Sequence, residues 1–91
     1  MDQAEWNLFV LSKRLKDTYN HNLEDLREKA DRLEEFSDDL WEEMKSFWQK
    51  VQEQIREKNL ARRHGNEIRR RTNAIFSTLK DLRAKSEKEL M

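Results

Sequence analysis

Two histidines, His21 and His64, are the only imidazoles in the chain, and no cysteine accompanies them. Thiolate nucleophiles, disulfides and zinc fingers are therefore excluded. His21 stands three and four residues ahead of Glu24 and Asp25, a spacing that sets an imidazole and two carboxylates on one helix face. A metal centre there would need ligands from elsewhere, and a solvated or capping histidine explains the spacing as well. His64 follows Arg62 and Arg63 and precedes Gly65, the only glycine, so it reads as a last-turn histidine facing helix C-terminal carbonyls. Catalysis needs a nucleophile beside a base, paired carboxylates across a cleft or a glycine loop cradling phosphate, and none of these is visible. The expectation is a non-enzyme without cofactor or metal.

Charge carries more information. Nineteen basic side chains balance nineteen acidic ones, yet residues 1–50 hold 8 basic and 13 acidic groups and residues 51–91 hold 11 and 6, giving the halves net charges of −5 and +5. Glu34, Glu35, Asp38, Asp39, Glu42 and Glu43 form two ladders at i, i+4 spacing that would repel along a single helix. Arg62, Arg63, Arg69, Arg70 and Arg71 form a basic cluster around His64. An antiparallel neighbour that brought this cluster to the ladder would make self-association sensitive to salt. The plainer alternative is a solvated acidic face with arginines capping helix ends. Arginine forks also bind phosphates, so a nucleic-acid-binding helical protein is the alternative function. No aromatic interleaves with the arginines to stack bases, and the acidic half would repel a phosphate backbone.

The elements that position these groups are helical. The chain has 91 residues, 42% charged and 35% hydrophobic, with one Gly, no Pro, two Val and three Ile, which leaves neither strand-forming runs nor corners for a sheet. From Tyr19 through Leu23, Leu26, Ala30, Leu33, Ser37, Leu40, Met44 and Phe47 to Val51, alternating steps of four and three mark a heptad repeat. Trp41, Trp48 and Ile55 fall at successive e positions and widen the apolar face after Leu40, so that this stretch calls for helices on two sides. Cations, Gly65 and the potential cap Asn66 form a stop-and-restart signal after Leu60. These signals predict a single all-α domain over residues 1–91, an antiparallel coiled coil or three-helix bundle. Its helices would run about 4–19, about 22–63 and about 67–89, the last folded back at Gly65. A simple hairpin register then sets Ile75 near Ile55, Leu79 near Val51, Leu82 near Trp48 and Ser86 near Met44.

At the N-terminal end two readings stand. Asn20-His21-Asn22 is either a break, letting Leu8, Leu11 and Leu15 lie on Leu33, Ala30 and Leu26, or a stutter within one rod of about 60 residues. A thin core favours oligomerisation in both.

The stretch Leu23–Leu40, LEDLREKADRLEEFSDDL, is similar to the opening helix of the all-helical chorismate mutases in its LREK-like start. That family holds a dicarboxylate substrate with basic residues about two and four turns further on. Here those turns carry acids, Met44 and aromatics, so the likeness implies no activity. The same stretch resembles the C-terminal half of vesicle-type SNARE motifs in its layers Leu23, Leu26, Ala30, Leu33, Ser37 and Leu40, but Tyr19 stands where that family places its central arginine. Both likenesses reduce to a general coiled-coil pattern.

The longest apolar run, Leu8-Phe9-Val10-Leu11, is far short of the roughly 20 residues of a membrane span, and no cation-led secretory signal opens the chain. An intracellular, cytoplasmic location is expected. The functional expectation is a helical protein–protein interaction or oligomerisation module, a scaffold or adaptor, whose partner is itself or another helical protein. Its interface would comprise Leu23, Leu26, Ala30, Leu33, Leu40, Trp41, Met44, Phe47, Trp48, Val51 and Ile55. A designed bundle without biological function is a further alternative, although few Ala and a ragged first seam point to a natural sequence.

Overall fold

The computed structural model describes the backbone of residues 2–90 and the side chains of residues 2–88. Three helices, α1 (Gln3–Asp31), α2 (Asp38–Arg56) and α3 (Arg62–Leu90), form an all-α bundle 61 Å long and 21 × 17 Å in section. No strand occurs among the described residues. Helix α1 lies antiparallel to α2, with Lys29 paired to Glu43 and Tyr19 edge-on to Phe47. Helix α3 returns antiparallel to α2, with Arg69 on Gln52 and Phe76 on Trp41. Helices α1 and α3 therefore run parallel and share the most extensive contact in the bundle.

The first two helix boundaries differ from the sequence expectation. Asn20-His21-Asn22 does not break α1, which continues to Asp31. Leu15, Tyr19, Leu23, Leu26 and Ala30 keep one face on the bundle across that segment, and Asn20 accepts a hydrogen bond from Arg71 at 2.6 Å. Packing of an apolar stripe outweighs the poor intrinsic propensity of two asparagines. The long central helix from 22 to 63 is not formed, because the chain turns between Arg32 and Ser37. Ser37, placed in the heptad seam by periodicity, instead caps α2, its Oγ accepting the Leu40 amide at 3.2 Å. Phe36 before the cap packs on Trp41, with ring centroids 5.9 Å apart, a hydrophobic staple that fixes the entry angle. Asp38 and Asp39 occupy the first turn of α2, where negative charge complements the helix dipole. Neither Leu23–Leu40 likeness survives this turn, since both require one uninterrupted helix.

The second turn also lies elsewhere than expected. Helix α2 ends at Arg56, and the amides of Lys58 and Asn59 donate to the carbonyls of Ile55 and Gln54 at 3.1 and 3.0 Å. Lys58 sits at φ 65°, completing a Schellman turn without glycine. The chain thus folds back at Lys58 rather than at Gly65. A lysine in the left-handed region carries strain that glycine lacks. Lys58→Gly is expected to raise stability by about 0.5–1 kcal/mol in urea denaturation, and any loss of stability would show that the side chain is needed at the turn.

Gly65 lies inside the first turns of α3, its amide donating to the Ala61 carbonyl at 2.9 Å. A Cβ there would meet Ile55 Cγ1 at 2.7 Å and Cδ1 closer still, so glycine permits α3 to approach α2. This contact sets the register: Ile55 faces Gly65 rather than Ile75, and Phe76 rather than a later residue reaches Trp41. The core runs the length of the overlap. Leu23, Met44, Val51, Ile68, Thr72 and Leu79 are fully enclosed, and Leu60 plugs the turn end at 2% exposure. The buried Thr72 hydroxyl donates to the Ile68 carbonyl at 2.8 Å, which removes the penalty of an unpaired polar group.

Candidate interaction surface

Helices α1 and α3 are parallel but staggered. The first residue of α1 with a hydrogen bond to the other helices is Ser12, whose Oγ accepts the Ala61 amide at 3.0 Å and lies 3.1 Å from His64 Nδ1. Lys16 then pairs with Glu67 at 2.9 Å, and Arg71 reaches Asn20 and Glu24. Because α3 begins only at Arg62, beside Ser12, the preceding residues of α1 project beyond the bundle by about 13 Å at 1.5 Å per residue. This overhang carries Trp6, Leu8, Phe9 and Leu11 at 51%, 55%, 50% and 54% exposure. Trp6 and Phe9 stack on each other, with centroids 5.8 Å apart and planes inclined by 28°.

Helical spacing puts Leu8 and Leu11 on the continuation of the core stripe through Leu15, while Trp6, Phe9 and Val10 lie on the opposite side. A helix that is apolar on every side is ordinarily a buried one. Apolar side chains are thus exposed on both sides of the overhang.

The expected interface residues are accounted for differently. Leu23, Leu26, Ala30, Leu40, Met44, Phe47 and Val51 form the chain's own core, and Leu33, Trp41 and Ile55 pack partly buried against it. That correction follows from the turn at residues 32–37, which closes the seam on itself. Trp48 lies half-buried with the Arg69 guanidinium 5.9 Å from its ring centroid. Trp41, Trp48 and Phe76 leave a shallow groove between α2 and α3 rimmed by Lys45, Asn73 and Lys80.

The charged clusters are dispersed too. Arg69 is held by Asn66 and Gln52, and Arg71 by Asn20 and Glu24. Arg62, Arg63 and Arg70 remain exposed on a surface that also carries Asn66 and Glu67. Lys16 hydrogen-bonds the Glu67 carboxylate and holds its pKa below the usual value against partial desolvation, so an anion sits amid these arginines. The acidic ladders are not continuous either: Glu34 and Glu35 are in the turn, Glu42 pairs with Lys45, and Glu43 pairs with Lys29.

His21 is exposed, with Nε2 3.9 Å from Asp25. Among the described residues no three His, Asp or Glu side chains converge as a metal site, and no helix is long and apolar enough to cross a membrane. His64 belongs to the first turns of α3 rather than the end of a helix. Its partner Ser12 is 6% exposed and committed to the Ala61 amide, so the pair fastens the second turn to α1.

Comparison with family models, curated proteins and solved structures finds no match to this chain. Sequence reasoning passed over Trp6 and Phe9, although the apolar residues on all sides of the helix from Trp6 to Leu11 were a usable signal. Ser12 and Asn20 gave none, since their partners lie 49 and 51 residues away.

Proposed function

We propose that this chain is a non-enzymatic helical interaction module, in which a three-helix bundle serves as a rigid mount for an apolar, aromatic segment that engages another protein chain. The observation that carries the reading is the overhang of α1, with four large apolar side chains each half exposed or more, ahead of the point where α2 and α3 begin to cover the helix. Helical partners commonly recognise such anchors at i, i+3 spacing, and Trp and Phe supply large contact area with few rotamers to immobilise. Most of the expected seam lies in the chain's own core, with Leu33, Trp41, Trp48 and Ile55 partly exposed at its edge.

Site-directed photocrosslinking tests the proposal. A benzophenone amino acid in place of Trp6 or Phe9 is expected to give discrete protein adducts, either with purified chain or with a cellular extract. The same group at exposed Lys50 or Asp81, on α2 and α3, is expected to give none. Equal labelling from all four positions, or none from the overhang, would refute it.

A further inference from the structure

On that reading, we infer that the partner of the overhang is a second copy of this chain, paired antiparallel about a two-fold axis that crosses α1 between Trp6 and Phe9. Along one side of α1, Asp2, Trp6, Phe9 and Lys13 follow one another at steps of four, three and four. Such steps keep all four groups on one stripe. The stripe is self-complementary when reversed: Asp2 meets Lys13, Trp6 meets Phe9, Phe9 meets Trp6 and Lys13 meets Asp2. Each contact is made twice, as an isologous dimer requires.

All four residues are exposed in the single chain. Asp2 is placed at the helix end by its own capping bond, Oδ1 accepting the Glu5 amide at 2.8 Å. The ends of the overhang also differ in charge beyond these residues, with Glu5 near one end and Arg14 near the other. A parallel pairing would bring acid to acid and base to base. Antiparallel pairing brings the acidic end of each overhang to the basic shoulder of its partner, and also opposes the two helix dipoles.

At the other end of the bundle, among the described side chains, α3 extends past the first turn through Arg83, Ala84, Lys85, Ser86, Glu87 and Lys88, none of them a large apolar group. A head-to-tail chain of molecules would set the aromatic stripe against this polar helix. The closed two-fold pair sets it against itself. With about 13 Å of helix on each side, the interface falls below the size of a permanent dimer, so dissociation in the micromolar range is expected.

Sedimentation of the purified chain over a range of concentrations tests the inference. The wild type is expected to show a reversible monomer–dimer equilibrium that weakens as salt rises. Asp2→Lys and Lys13→Glu each place two like-charge pairs in the homodimer and are expected to weaken it roughly tenfold. An equimolar mixture of the two variants is expected to recover the wild-type affinity. In that heterodimer the introduced lysine of one chain faces the introduced glutamate of the other, and the retained Lys13 faces the retained Asp2. Trp6→Ala is expected to abolish dimerisation while leaving helicity and thermal midpoint of the monomer unchanged.

A chain that is monomeric throughout, a mixture that fails to recover, growth into open polymers, or monomers that bind anionic vesicles through Trp6 instead would each overturn the pairing. If the chain is monomeric but photocrosslinks from Trp6 and Phe9 capture a different protein, the self-pairing fails and the interaction module stands. If neither dimer nor crosslink forms, both fail.

Discussion

Truncating Met44 to alanine is expected to cost about 2–5 kcal/mol of folding stability, the range for emptying a fully enclosed site that cannot collapse completely. Met44 has no exposed surface and lies in the cluster that also holds Leu23, Phe47 and Val51. A domain of this size commonly has about 5–15 kcal/mol in total, and one with so slender a section belongs near the lower end. The variant should therefore melt far below the wild type. The diagnostic feature is concentration: because the seam closes within one chain, the difference between variant and wild type in urea denaturation should be the same at low and high protein concentration. A loss that depended on concentration would return the seam to an interface between chains.

Asn22→Pro is expected to cost about 3 kcal/mol or more, because residue 22 lies inside α1 and proline removes an internal hydrogen bond while crowding the preceding turn. Inserting Gly-Ser between Glu34 and Glu35, in contrast, should cost no more than about 1 kcal/mol, since it only lengthens a connecting turn. The pair of measurements inverts if Asn20-His21-Asn22 is a break and one long central helix runs from 22 to 63. In a helix from 22 to 63, proline at position 22 would sit at a tolerated N-terminal position, and two added residues after Glu34 would rotate everything downstream off the seam. Circular dichroism with thermal melts on both variants separates these outcomes.

Both expectations turn on features that periodicity cannot express. Of the heptad stripe, Leu23, Leu26, Ala30, Leu40, Met44, Phe47 and Val51 are buried, while Leu33 at the turn is only partly so. Whether a stripe is covered by its own chain or by another leaves the same spacing in the sequence. Ser37 keeps heptad register and so conceals a cap, although Phe36-Ser37 followed by Trp41 is a local staple signal. At the other turn the glycine was a false marker. Lys58 takes the left-handed position, while Gly65 serves the approach of α3 to Ile55, a contact defined by another helix.

The charged side chains show the same division. Their numbers and the opposite sign of the two halves were countable, but the fate of each arginine depended on which helix came alongside. Arg71 meets Glu24 across 47 residues of sequence and Arg69 meets Gln52 across 17, pairings that only the assembled bundle makes. The stripe of Asp2, Trp6, Phe9 and Lys13 needed no long-range contact to be drawn, only the knowledge that no described residue covers it.

Composition and spacing were enough to require helices, to choose the residues that leave water and to exclude thiol chemistry, since these follow from propensities and from a period of 3.6 residues that each segment carries alone. The positions of the turns, the parallel stagger of α1 and α3 and the bare state of the α1 overhang came from packing. They depend on side chains distant in sequence meeting one another, and a gain spread over many such meetings has no local signature.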